Sequence, residues 1–230
     1  MLGTLYIVAT PIGNLEDITF RALRILKESD LILTEDTRKS SILLKYYGID
    51  IPTLSYHQHS GEEKRLEILN MLLKGKNLSL ITDAGTPGIS DPGNELVDYL
   101  LSYKPDLKIV PIPGASAITT TLSISGFDVN KFVFLGFLPK KKRNKLFDWL
   151  KEGKISFAFY ESPNRILKTL EMLERVFGVY IRVFIARELT KIHETTYRGK
   201  IKVVHDLMEK EKIKGELVVV VENKYFYASK

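Results

Sequence analysis

Five times in the first 126 residues, a short apolar run gives way to a stretch with helical periodicity. The runs are Leu5 to Ala9, Leu31 to Thr34, Thr53 to Tyr56, Leu78 to Ile81 and Lys108 to Ile112. Behind the first lie Ile18, Ala22, Ile25 and Leu26 at helical spacing, and behind the third Leu66, Leu69, Leu72 and Leu73. A helix after the second run is expected to reach about Tyr47, with Gly48 ending it. Further helices are expected from Pro92 to about Tyr103 and from the Pro113 to Ala117 turn to Gly126. Strand alternating with helix is the pattern of a mostly parallel sheet with helices on its faces. The strands are continuously apolar rather than alternating, which agrees with burial on both faces. Helix starts are read at Asn14, at the Ser60-Gly61-Glu62-Glu63 capping box, and at Asp91 capping a helix whose first residue is Pro92.

The second half carries strands at Phe132 to Leu138, Ile155 to Tyr160, Val179 to Ala186 and Leu217 to Val221. Thr195 to Gly199 reads as a hairpin arm. A helix opening at Ser162-Pro163 presents Ile166, Leu170, Leu173 and Phe177 on one face. A chain of 230 residues can bury one large core or two small ones. We expect two domains, residues 1–126 and 127–230.

The punctuation between these elements carries the chemistry. After Thr82, nine of eleven residues are Gly, Pro, Asp, Ser or Thr, the types that form tight turns and let backbone approach a ligand. Strand, small-residue turn and helix start is how α/β proteins hold nucleotide-like ligands at strand carboxyl ends. The glycines do not follow G-x-G-x-x-G, and no G-x-x-x-x-G-K-[ST] occurs, so neither phosphate-binding fingerprint is present. Cysteine is absent, which excludes disulfides and thiolate-held metals and fits a cytoplasmic protein. His57-x-His59 lacks a third ligand at metal spacing, so no metal is expected. No apolar run is long enough to span a membrane, and Met1-Leu2-Gly3 leads straight into a strand with no leader pattern, so no membrane association is expected. The formal net charge is +6, and Lys140-Lys141-Lys142-Arg143-Asn144-Lys145 concentrates five cations in six positions. Such a run is commonly a solvated loop, and it also suits a polyanion such as RNA.

Several segments taken together resemble one family. Ile7 to Leu15, Thr34-Glu35-Asp36-Thr37-Arg38, Thr82 to Gly93, Pro111 to Ala117, Phe159 to Arg165, Ala186 to Lys191 and Lys214 to Glu222 are similar, in order, to the motifs of the tetrapyrrole methylase superfamily in its ribosomal RNA branch. The resemblance implies two α/β domains, the first with a mostly parallel sheet and the second with a mixed one. It also implies S-adenosylmethionine in a cleft between them, and a homodimer. The implied activity is 2′-O-methylation of a decoding-centre cytidine of 16S ribosomal RNA in the 30S subunit. By position in the motifs, donor contacts are expected at Thr10, Thr86, Gly88, Ile89, Ser116 and Ala117, with Tyr160 and Ala186 on second-domain strands. A donor with an adenine, a ribose, an amino acid and a sulfonium, but no phosphate, suits small-residue turns.

Removing the ribose hydroxyl's proton calls for a base. Glu35, Asp36, Asp91 and Glu161 stand near strand ends, and the sequence does not choose among them, although Asp91 reads better as a cap. Arg38, Arg165 and Arg187 flank these acids and suit ion pairs, RNA phosphate or the donor's carboxylate. RNA contacts are expected from Lys140, Lys141, Lys142, Arg143 and Lys145, with Arg38, His57 and Arg165 nearer the chemistry. Two rival readings remain: a corrin or uroporphyrin C-methylase of the same superfamily, and a non-catalytic RNA-binding assembly module.

Overall fold

In the computed structural model, which describes residues 1–139 and 143–223, the chain divides into two compact units, Met1–Ser116 and Ala117–Lys230. The first opens with β1 (Thr4–Val8), a single tight turn of helix at Leu15–Asp17, and α1 (Phe20–Glu28). Then follow β2 (Leu31–Thr34), α2 (Thr37–Tyr46), β3 (Thr53–Ser55), α3 (Glu62–Leu73), β4 (Leu78–Ile81), α4 (Asn94–Tyr103) and β5 (Lys108–Ile112). All neighbouring strands pair in parallel, in the order β3-β2-β4-β1-β5.

Successive side chains of a strand point to opposite faces, and here each face has its own core. Leu33 and Leu80 join Ile68, Leu69 and Leu72 of α3 and Leu96 and Leu100 of α4. Their neighbours Ile32 and Ile81 join Ala22, Ile25 and Leu26 of α1 and Leu44 of α2. A strand buried on both sides has no polar face, hence the continuous apolar runs.

The helix starts differ from expectation in three places. Asn14 caps the Leu15–Asp17 turn by accepting from Glu16 N, while Thr19 caps α1 by accepting from Ala22 N. Gly61, not Ser60, is the N-cap of α3, because the Ser60 hydroxyl instead accepts the His57 amide at 3.0 Å. Asp91 does not cap α4. That helix begins at Asn94 behind Gly93, whose φ of 145° no capping aspartate adopts, and Pro92 is spent in the turn before it.

The second unit comprises α5 (Ala117–Ser125), β6 (Phe132–Phe137), α6 (Arg143–Gly153), β7 (Ser156–Glu161), α7 (Ile166–Phe177), β8 (Arg182–Arg187), β9 (Thr195–Lys200), α8 (Ile201–Glu209) and β10 (Leu217–Glu222). Its sheet runs β6-β7-β10-β8-β9, with β6 and β7 parallel and every other pair antiparallel. Phe157, Phe159, Val183, Ile185, Val219 and Val221 face a core shared with α6, α7 and α8. Helix α5 packs against β8 and β10, so the division falls before this helix rather than after it. Thr195 to Gly199 is indeed a hairpin arm on β8. Strand β8 starts at Arg182, because Val179 and Tyr180 are exposed ahead of it. Helices α6 and α8 have no counterpart in the sequence reading. Among the described residues no helix is long and apolar enough to cross a membrane.

Candidate active site

Parallel pairing sends all five carboxyl ends of the first sheet to one edge, and its three neighbours β4, β1 and β5 are bonded together there. The Thr10 amide donates to Gly85 O at 2.9 Å and the Gly85 amide to Thr10 O at 3.0 Å. The Thr10 hydroxyl donates to Thr82 O at 3.2 Å, and the Thr86 hydroxyl to Ala115 O at 3.2 Å. Gly114 lies so close to β1 that a Cβ there would stand 3.0 Å from that of Ala9. Thr10 and Thr86 therefore fix loops to one another with the very groups that a ligand would need.

Gly88 has a related task. At φ +84° its amide donates to Pro92 O and its carbonyl accepts from Asn94 Nδ2 at 2.8 Å. A Cβ at this position would meet Asn94 Oδ1 at 2.4 Å. The glycine is thus required by closure of the turn itself. Ile89, at the tip, is 45% exposed. Ser116 follows β5 half-buried, and Ala117 opens α5, its carbonyl accepting the Thr121 hydroxyl at 2.7 Å.

The loops Thr10–Asn14, Thr82–Gly93 and Pro113–Ser116 contain no lysine or arginine, and they do contain Asp83 and Asp91. That set offers hydroxyls, peptide groups and small or apolar side chains. These loops carry no cationic side chain of their own with which to pair a phosphate.

Beside these loops, β2 ends in Glu35-Asp36. Asp36 caps α2 through the Arg38 amide at 2.9 Å, and Arg38 also grips it through Nε at 3.1 Å and Nη2 at 2.8 Å. The Arg38 side-chain hydrogen bond holds the Asp36 carboxyl down at about 2. Lys39 is pushed up by its 2.7 Å contact with Asp83, whose other oxygen accepts the Asp36 amide at 3.3 Å. Nothing in the sequence beyond its charge marks Lys39 for this contact. Glu35 is half-buried, and its carboxylate accepts no hydrogen bond among the described residues. His57 follows β3 at the edge of the same sheet, exposed, its Nδ1 accepting the His59 amide at 3.2 Å.

The remaining expected residues belong to the second unit. Glu161, 2% exposed at the end of β7, accepts from Thr169 Oγ1 at 2.7 Å, the Ser162 amide at 2.8 Å and Arg165 Nη2 at 3.2 Å, and Arg165 Nε lies in ion-pair contact at 2.9 Å. Arg143 Nη1 stands 4.0 Å away and donates to Thr169 Oγ1 at 3.1 Å. Burial draws Arg143 below the usual guanidinium range, Arg165 adds to this, and Glu161 opposes it. Arg165 Nη2 also donates to Leu138 O at 2.7 Å, and Arg143 Nε to Pro139 O. Glu161, Arg143 and Arg165 therefore form one anchored group, whereas Lys145 is exposed. Lys140, Lys141 and Lys142 lie outside the described residues. Tyr160 is half-buried on β7, and Ala186 is 1% exposed between β10 and β9.

One locked loop escaped the sequence reading. Glu188 and Thr190 hold φ of 50° and 65°, costly for non-glycine residues. Burial pushes the Glu188 carboxyl up, yet the Lys191 ammonium at 2.9 Å and the Glu216 amide at 2.8 Å hold it below the usual range. Gly215 is required opposite, since a Cβ would stand 2.3 Å from Glu188 Oε1. On α8, His205, Asp206 and Glu209 have ligand atoms within 4.8 Å of one another, but Asp206 already pairs with Lys202 at 2.9 Å.

Comparison with known proteins agrees with this arrangement. Residues 4–204 match the model of the Tetrapyrrole (Corrin/Porphyrin) Methylases. The chain is 45% identical over 224 residues to the Ribosomal RNA small subunit methyltransferase I of Thermotoga maritima, covering 97% of this chain and 100% of that protein. It is 44% identical to the protein of the same name from Hydrogenobaculum, covering 94% of each. The solved structure of a cobalt precorrin-4 methyltransferase superposes with a TM-score of 0.70 at 19% identity, covering 95% of this chain and 94% of that one. That of uroporphyrin-III-C-methyltransferase from Thermus thermophilus does so with 0.64 at 15%, covering 98% and 97%; these two likenesses speak for the fold alone. With the family's two sheets, its strand-end loops and relatives of this identity over nearly the whole chain, the protein belongs to the tetrapyrrole methylase family and is a methyltransferase.

Proposed function

We propose that the chain transfers the methyl group of S-adenosylmethionine to the 2′-oxygen of a decoding-centre cytidine in 16S ribosomal RNA, acting in the cytoplasm as a homodimer on the 30S subunit. The observation that carries the donor half of this reading is the bonded edge of β4, β1 and β5, whose loops are hydrogen-bonded to one another, contain no lysine or arginine and are rich in small residues. The RNA half rests on relatives named for the ribosomal small subunit and on the basic run at residues 140–145.

S-adenosylmethionine supplies a methyl group on a positively charged sulfur that leaves as a neutral thioether. Thr10 and Thr86 hold the loops in register. Gly88, Ile89, Ser116 and the adjoining Ala117 present backbone and small side chains to the donor. Positioning of this kind is worth roughly 7–11 kcal/mol in well-oriented cases. The ribose hydroxyl must also lose its proton. Asp36 is a weak acceptor at about 2 and is fully engaged by Arg38, and Glu161 is buried among its own partners. Glu35 keeps an unengaged carboxylate at the same sheet edge, and we assign it the proton. Arg38, its side chain 88% exposed, and the exposed His57 at the end of β3 serve as RNA contacts.

The test is methylation of unmodified 30S subunits with a labelled donor, followed by mapping of the nucleotide and atom that carry the label. Label on the ribose oxygen of one decoding-centre cytidine is expected. Label on a base, or on a porphyrinoid but not on RNA, overturns the reading.

A further inference from the structure

Strand β6 contains an irregularity with a purpose. Phe134 pairs with Ala158 and Phe137 with Tyr160, so three steps along β6 match two along β7. Gly136, at φ +60°, makes the extra residue possible. Residues 134 and 137 of a regular strand point to opposite faces. The bulge returns Phe137 to the side of Phe134, and both rings rest on Tyr160. Phe134 meets it at 5.1 Å and 73°, Phe137 at 5.3 Å and 58°. Yet Phe137 stays 63% exposed. A backbone device thus presents an aromatic face to solvent instead of adding it to the core.

The segment is also held still. The carbonyls of Leu138 and Pro139, directly after Phe137, accept from Arg165 and Arg143, which are both gathered around the buried Glu161 next to Tyr160. From Lys131 to Phe147 the sequence carries six cations and no carboxylate. An exposed ring on a rigid support, inside a stretch of uniformly positive charge, is the combination that takes up an unstacked base of a polyanion.

We propose that Phe137, backed by Tyr160 and Phe134, is a stacking platform for an unpaired nucleobase of the RNA substrate. The proposal rests on the RNA reading above and adds to it a residue that recognises the base rather than the phosphate.

Binding of unmodified 30S subunits, measured across a salt series for wild type, Phe137→Ala, Phe137→Trp and a variant with Lys140, Lys141, Lys142 and Lys145 all replaced by Ala, tests it. Loss of one stacked base weakens binding by about ten-fold or more, so Phe137→Ala should do so at every salt concentration with the slope unchanged. Phe137→Trp should bind like wild type. Donor affinity, by calorimetry, should be the same in all four. The four-lysine variant should flatten the slope instead. If wild type binds and the lysine variant weakens while Phe137→Ala binds normally, the platform alone is wrong. If wild type does not bind 30S subunits, the RNA reading falls and the platform with it. Loss of donor affinity in Phe137→Ala would give the ring to the donor, and a change in sedimentation without a change in RNA affinity would give it to a second copy of the chain. Either result overturns the proposal.

Discussion

Asp36 caps α2 with the carboxylate that Arg38 also grips, and this fixes how it titrates. Its pKa in the fold, about 2, lies below the 3.8 of the free group. The sign follows: the contribution is present above about 4 and is lost as pH falls toward 2. Arg38→Ala should return the Asp36 midpoint toward 3.8 in a carboxyl-carbon NMR titration, and a midpoint still near 2 would mean the cap alone sets it. Glu35, one residue earlier, makes the opposite prediction. Glu35→Gln keeps the shape and removes the proposed proton acceptor, so single-turnover methyl transfer should fall by roughly 10²–10⁴-fold. Donor affinity should be unchanged. Full activity in this variant would take the proton away from Glu35.

At the scale of the element, Gly88 and Glu161 show two ways in which a turn is held. A side chain at φ +84° costs about 1–2 kcal/mol. Gly88→Ala also drives a methyl into Asn94, so it should lower the melting temperature and weaken donor binding together. Adding Asn94→Ala should recover only the part due to the clash. Glu161→Gln leaves Arg143, its side chain 10% exposed, without its counter-charge. Removing one partner of a buried pair costs about 3–5 kcal/mol, which urea unfolding should register; a loss below about 1 kcal/mol would mean solvent already screens the group.

Contacts of this kind mark the limit of what a sequence displays. The central strands β1, β2 and β4 were legible because burial on both faces leaves them mostly apolar, and the strand-end turns because Gly, Pro and Asp have few other uses. The fate of Thr10 was not legible, since its hydroxyl goes to a carbonyl 72 residues away. Asp91 met every local criterion of a cap, yet Gly93 at φ 145° starts the helix. Helix α8 did carry a readable pattern in Ile201, Val204, His205 and Met208. Helix α6 did not, because its apolar set Phe147 and Leu150 is short and follows the charged run.

For the whole molecule the question is how a net charge of +6 is used. Arginines and lysines already paired inside the fold add little to RNA affinity, because their partners cancel them and their donors are taken. Arg143, Arg165 and Lys191 are of this kind. Lys145 is exposed, and Lys140, Lys141 and Lys142 complete the only dense cationic run in the sequence. Replacing all five cations of that run would therefore mix two effects, since Arg143→Ala also breaks the group around Glu161. The clean variant replaces the four lysines and leaves Arg143 in place. Each phosphate contact adds about 0.7 to the slope of log K against log salt on single strands. If all four lysines touch phosphate, the slope should fall by about 3, while donor affinity and melting temperature stay where they were. An unchanged slope would show that the charge that meets RNA lies elsewhere, and Arg38, exposed beside Glu35, would be the next cation to replace.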